Sequence, residues 1–221
     1  MMELGQPTED YLKAIYRLQQ EGESSVSTNA LAAALAVTPA SVTSMIKKLA
    51  EMKLVNYAPY QGVTLTHAGE LIALEVIRHH RLIELFLTKA LGYSWDEVHA
   101  EAERLEHVIS EEFEDRLAAF LGYPSVDPHG DPIPAKDGTV DVADLRPLIR
   151  LERGQSARIS RVSDGDPDLL RYADQLNLRP GGHVKLLDAE PFGGSMRIQI
   201  GKTERSIGRE LAAHIFVTMD D

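Results

Sequence analysis

The stretch Asn29-Ala-Leu-Ala-Ala-Ala-Leu35, then Ala36-Val-Thr-Pro39, then Ala40-Ser-Val-Thr-Ser-Met-Ile-Lys-Lys-Leu49, decides the fold. Its first part is a strong helix former that stops at residues 36–38. Pro39 then opens a second helix behind Thr38 as cap, and Val42, Met45, Ile46 and Leu49 recur at helical spacing. Two short helices about a tight turn make a helix-turn-helix, whose second helix enters the major groove with its first residues at the base edges. Thr38, Ala40, Ser41, Thr43 and Ser44 are therefore the candidates for base reading. Lys47 and Lys48 are the candidates for phosphate contact.

Upstream, residues 8–20 show helical periodicity through Tyr11, Leu12, Ile15, Tyr16 and Leu18, with Thr8 as N-cap. Downstream, residues 54–57 and 63–66 read as two strands around Ala58-Pro-Tyr-Gln-Gly62, a hairpin wing. Tyr60, Gln61 and Gly62 at its tip are placed to touch the DNA backbone or minor groove. Residues 1–66 thus read as a winged helix-turn-helix. A helical protein with uninformative surface residues would not be expected to carry both parts in this order.

Residues 67–91 follow as a long amphipathic helix ended by Gly92. Next comes His99-Ala-Glu-Ala-Glu-Arg-Leu-Glu-His107, behind Ser94 or Asp96 as cap. If helical throughout, it sets His99, Glu103, Glu106 and His107 on one face, because residues three and four apart are neighbours. Two imidazoles and two carboxylates converging there suit a divalent cation. His80 and Glu84 repeat the spacing on the preceding helix. Charged helix faces are usually only solvated, so the neighbouring domains decide between these readings. A further helix covers 110–121. Apolar helices of this kind need a partner surface, which a homodimer on a palindromic operator supplies.

Residues 122–147 are dense in Pro, Gly and Asp and read as a linker, His129 included; the domain division places helical residues at 67–135 and the linker at 136–150. Beyond it, residues 157–162, 183–189, 195–200 and 214–219 read as strands, and Asp166-Pro167 opens a short helix over 168–175. Residues 151–221 are therefore a small all-β domain. The fold class is mainly α with this all-β C-terminal domain. With no cysteine, disulfides, thiolate metal sites and cysteine nucleophiles are excluded, and any metal must rest on oxygen and imidazole nitrogen. The net charge of −11 opposes DNA binding only superficially. Residues 1–65 are near neutral and gather Lys47, Lys48 and Lys53, while acids outnumber bases about two to one over 66–121. No membrane span or signal peptide is legible, and a cytoplasmic protein is expected.

The chain resembles the diphtheria toxin repressor family of metal-dependent regulators, in its three-domain form. The resemblance rests on Thr8-Glu-Asp-Tyr-Leu12 with Ile15-Tyr16, Val42-Thr43 with Leu49, and Leu65-Thr-His-Ala-Gly69. It continues through His80-Arg-Leu82 with Glu84, Val98-His99 with Glu103 and Glu106-His107, and Pro128-His-Gly-Asp-Pro-Ile-Pro134. A looser likeness to the family's SH3-like (FeoA-type) domain runs through Leu169-Leu-Arg-Tyr172 and Leu178-Arg-Pro-Gly181. The resemblance implies a primary metal site of Asp10, Glu103, Glu106 and His107. It implies an ancillary site of His80, Glu84 and His99, completed by Asp166 or Asp168. Acids stand at positions 10 and 103, where the iron-responsive branch carries sulfur ligands, so Mn(II) is the expected effector, with Fe(II) the alternative and other divalent transition metals able to bind in vitro. Lys13 replaces an acid of the short, two-domain manganese regulators, which disfavours their compact paired-metal site.

The expected mechanism is electrostatic. Carboxylates on the first helix and on the 99–107 segment repel one another, leaving the DNA-binding head loose until a cation ties them. A di-metal carboxylate enzyme is the rival from another class. It lacks the expected pair of Glu-x-x-His motifs, since Arg104 and Asp96 stand three residues before His107 and His99.

Overall fold

The structure, a computed structural model, describes residues 4–59 and 61–219; Tyr60 of the wing lies outside them. At the N-terminal end three helices and a hairpin surround one apolar cluster. Helix α1 (Gln6–Gln20) begins behind Gly5 with a proline in its first turn, so Thr8 is a buried residue inside the helix rather than its cap. Its Leu12 and Ile15 are fully buried. Helix α2 (Thr28–Ala34) is capped by Ser27, whose hydroxyl accepts from the Ala30 N–H. Helix α3 (Pro39–Glu51) is capped by Thr38 in the same way, from the Ser41 N–H. Such a cap satisfies one amide that the helix cannot.

Ala36 turns the chain between α2 and α3 with φ 52°, a left-handed conformation. Val42, Ile46 and Leu49 of α3 then face the cluster at i, i+4 and i+7, together with Leu12, Ile15 and Leu31. Strands β1 (Val55–Ala58) and β2 (Gly62–Leu65) pair antiparallel, and Val26 bridges to Val63 on the other side of β2. Helix α4 (His67–Leu91) starts directly after the hairpin. A Cβ at Gly69 would lie 2.1 Å from the Leu54 carbonyl oxygen, so only glycine lets α4 approach the hairpin this closely.

The chain divides into two compact units. The first comprises Met1–His80, Leu105–Glu111 and Pro134–Val140. The second comprises Arg81–Arg104, Glu112–Ile133 and Asp141–Asp221. Two further helices follow α4: α5 (Val98–Leu105) and α6 (Glu111–Phe120). Helix α5 stops at Leu105, so Glu106 and His107 come from the turn beyond it and not from one continuous helical face as the spacing suggests.

The second unit contains an antiparallel six-stranded sheet. Its strands are β3 (Arg146–Pro147), β4 (Ser156–Val162), β5 (His183–Ala189), β6 (Met196–Ile200), β7 (Thr203–Ile207) and β8 (Ile215–Met219), ordered β3-β8-β4-β5-β6-β7. Irregularities at Ile159/Arg161 and Leu186/Asp188 shift the register, and such bulges bend a sheet. Ala157, Ile159, Val184, Leu186, Met196, Ile198, Ile215 and Val217 alternate inward onto one core with Trp95. Helix α7 (Pro167–Gln175) packs Leu170 and Ala173 on that core, and α8 (Arg209–Ala213) packs Leu211 and Ala212.

Residues 122–133 are not a linker. Asp127, His129 and Asp131 are buried, and Asp127 Oδ1 accepts from the N–H groups of His129 and Asp131 at 2.8 and 2.9 Å. Gly130 has φ +90° and a Cβ there would lie 1.9 Å from the Ser160 carbonyl oxygen. The proline and glycine content that suggests a tether instead builds a tight, buried turn against β4.

Candidate metal centres

Helix α1 presents Glu9, Asp10 and Lys13 on one face, spaced for adjacent turns. The turn after α5 presents Glu106 and His107. His107 Nδ1 lies 2.6 Å from Glu9 Oε2, which fixes the N–H on that nitrogen. Nε2 is then a bare lone pair. Asp10 Oδ1 lies 2.9 Å from it and Glu106 Oε1 3.2 Å, yet Nε2 makes no hydrogen bond among the described residues. Three donors of Asp10, Glu106 and His107 thus converge, each with a lone pair and no hydrogen to share. That is a donor set for a hard or borderline dication, and a carboxylate on the far ring nitrogen is the usual support of a metal-binding imidazole. Glu9 was not identified from the sequence. Its only signal is its place beside Asp10.

Glu106 is 1% exposed and has several polar partners. Lys13 Nζ donates to both its oxygens, at 2.7 and 2.9 Å. His80 Nδ1 lies 2.5 Å from Oε2, and His79 Nδ1 lies 3.1 Å from the Glu106 carbonyl oxygen. At Glu106, a buried ammonium that α1 itself supplies faces the carboxylate. Glu103, on α5, faces His99, whose Nε2 is 3.6 Å from its Oε1. Glu75, His79 and Glu111 form a further His/Glu group, in which Lys136 already lies 3.3 Å from Glu111.

A second centre forms in the other unit around Glu84, which is fully buried. His99 Nδ1 lies 3.2 Å from Glu84 Oε1, and Asp164 Oδ2 lies 3.9 Å from the same nitrogen. His129 donates from Nε2 to the Trp95 carbonyl at 2.6 Å and stacks on the Trp95 ring. This turns Nδ1 toward Glu84 Oε2 at 3.6 Å, an ion-pair distance rather than a hydrogen bond. Asp127 Oδ2 likewise makes no hydrogen bond, with Arg81 Nε 3.7 Å away. Buried polar atoms of this kind are rare and call for a partner.

The local electrostatics express the same demand for positive charge. Burial, then the charges of Asp131 and Glu84, push the Asp127 carboxyl up to about 8. Burial pulls the His129 imidazolium down, but Glu84 and Asp127 outweigh it and push it up to about 9. The structure groups Glu84 and His99 of the expected ancillary set with Asp164, and groups Glu84 separately with Asp127 and His129. It gives Asp166 and Asp168 other tasks: Asp166 caps α7 through the Asp168 and Leu169 amides, and Asp168 pairs with Arg171. The aspartate that lies near His99 is Asp164, two residues before Asp166.

On the DNA side, Thr38, Ala40, Ser41, Ser44, Lys47 and Lys48 are exposed along α3 and its cap, while Thr43 is half-buried. The Thr38 hydroxyl is engaged in capping, and the Thr43 hydroxyl donates to the Pro39 carbonyl at 2.9 Å. Ser41 and Ser44 are the more accessible hydroxyls. Gln61 at the wing tip is exposed, its carbonyl held by the Ser25 hydroxyl at 2.5 Å.

A winged helix-turn-helix joined to buried clusters of imidazole and carboxylate defines a metal-dependent transcriptional regulator. Three family descriptions match successive parts of the chain. They are the N-terminal DNA-binding domain of iron-dependent repressors over residues 3–63, their metal-binding and dimerisation domain over 66–135, and a FeoA domain over 146–219. The chain belongs to the iron-dependent repressor family, which includes the diphtheria toxin repressor, and it is a transcriptional repressor rather than an enzyme. It is 31% identical to the iron-dependent repressor IdeR of Mycobacterium tuberculosis, over 96% of both chains. Among solved structures it is similar to a manganese-dependent transcriptional repressor in complex with manganese, at 39% identity and TM-score 0.89 over 96% of this chain and 99% of that one. It is also similar to ScaR with bound Cd2+, at 34% identity and TM-score 0.80 over 96% and 99%. No single helix among the described residues is long and apolar enough to cross a membrane.

Proposed function

We propose that this repressor is activated by Mn(II) and binds palindromic operator DNA as a homodimer, regulating genes of metal uptake. The observation that carries the reading is the donor set at Asp10, Glu106 and His107, built from oxygen and imidazole nitrogen in a chain without cysteine. Sulfur-free, carboxylate-rich sites suit Mn(II), and the similar repressor in complex with manganese supports the same metal. Glu103 is proposed as the fourth primary ligand, from its place one turn before Glu106. Glu84, His99 and Asp164 are proposed to hold the second ion, with Asp127 and His129 grouped on Glu84 beside them and His80 bordering the primary group through Glu106.

A bound dication supplies the positive charge that lets these carboxylates share one centre. Asp10 belongs to α1 of the DNA-binding head, whereas Glu106 and His107 follow α5. Holding them together fixes α1, and through the shared core α3, against the 105–111 segment. The DNA-competent arrangement is then favoured to the extent that it binds metal more tightly than the others. Leu91, Phe113, Phe120 and Tyr123 remain exposed near the helical segment, which supports a dimer surface there.

Fe(II) is the second reading, favoured by the likeness to IdeR. A gel-shift titration on the promoter of an adjacent metal-uptake gene separates the two. Mn(II) should produce the shift at a lower free concentration than Fe(II) under anaerobic conditions. The reverse order assigns the protein to iron, and a shift indifferent to both metals removes the reading.

A further inference from the structure

Lys13 is 7% exposed, and its ammonium bridges the two oxygens of Glu106. A lysine this buried is found only where its charge is matched, and here the match is a carboxylate that is itself fully buried. Lys13 stands three residues after Asp10, so both reach the same turn from α1. Glu106 Oε1, the atom nearest His107 Nε2 at 3.2 Å, is the atom Lys13 holds at 2.7 Å. A cation that takes this oxygen must take it from Lys13, or accept a positive neighbour within a few ångströms.

Resting on the reading of Asp10, Glu106 and His107 as a metal site, we propose that Lys13 is a tethered competitor for the metal. It holds the ligand Glu106 in place as an internal counter-cation and thereby sets the metal concentration at which the site fills. The arrangement accomplishes two things at once. The buried Glu106 carboxylate is never left without a positive partner as metal concentration falls. The metal must also displace or endure that charge, so the response begins at a higher concentration than the ligands alone would give. Repulsion between like charges this close, away from bulk water, is large enough to shift an affinity by an order of magnitude or more. Lys13 is thus a residue that tunes the threshold and not a ligand.

The test is Mn(II) binding by calorimetry to chelator-stripped wild type and to K13M, K13Q and K13R, with D10A identifying the component of binding that belongs to this site. K13M and K13Q should bind that component at least about tenfold more tightly, while K13R, which keeps the charge, stays within about threefold of wild type. Stripped K13M should also melt at a lower temperature than stripped wild type and gain more from Mn(II). If stripped K13M does not fold, the Mn(II) midpoint for its refolding is compared with that of K13R, and a midpoint no lower overturns the proposal. Unchanged or weakened affinity in K13M and K13Q overturns it too, because a merely structural lysine would lower affinity when lost. If D10A removes no component in any variant, the metal-site reading fails independently of Lys13.

Discussion

His129 shows how far a single residue departs from what its surroundings in sequence suggest. Set among prolines and glycines it reads as a linker residue, yet it is fully buried, with Nε2 on the Trp95 carbonyl and Nδ1 toward Glu84. Neither partner is near it in sequence, so no local pattern could reveal the contact. Glu106 and His107 could be picked out as candidates by their spacing, and Asp10 only by the family resemblance; the structure brings the three together. Glu9 and Lys13 were harder to read, since a carboxylate and a lysine on a first helix are ordinarily solvated. The raised His129 pKa leads to a pH prediction. Its folded value near 9 lies above the ordinary 6.5, so its stabilising effect is complete below pH 6.5 and is lost as pH rises through 9. Asp127, pushed up to about 8, acts in the same direction, because ionising it in the folded state is unfavourable as pH rises. Chelator-treated wild type should therefore lose thermal stability between pH 6.5 and 9, and H129Q should show a shallower decline. Parallel melting curves for the two proteins across that range would show that His129 carries none of it.

Helix α3 is the element whose reading held together best. Its cap, its proline and its buried i, i+4, i+7 positions agree, and local agreement of this kind is what makes an element legible. Helix α5 was overextended, because the acidic periodicity runs on through Glu106 and His107 after the backbone has left the helix at Leu105. Strand β7 and helix α8 were not anticipated. β7 exposes four of its five residues and offers no alternation, and α8 has only five residues. For α3 the expectation concerns charge. Replacing both Lys47 and Lys48 by Ala should weaken binding to operator and unrelated DNA alike. It should also flatten the dependence of log affinity on log salt by about one unit per lysine. Fluorescence anisotropy across a salt series measures both quantities; a loss confined to the operator would instead make these lysines readers of bases.

At the scale of the whole molecule, the three-part order of DNA-binding head, metal-binding helices and FeoA-type sheet was visible in the sequence, because each part has its own periodicity. The groups that could hold a metal were less visible, because they are assembled from residues far apart in the chain. Asp164 reaches His99 across the intervening sequence, and α1 reaches the turn after α5. The division into units also cuts through α4, so the compact units do not follow the order of segments. In the proposed activation, Asp10 joins the first helix to Glu106 and His107 through a dication, with DNA binding as the consequence. The most direct measurement is operator affinity by anisotropy as Mn(II) is titrated into chelator-stripped wild type and D10A. Wild type should tighten by at least about a hundredfold and D10A should stay near its stripped affinity, both remaining dimers by light scattering. A D10A protein that responds to Mn(II) with the wild-type midpoint, or a wild type whose operator affinity ignores the chelator, would contradict it.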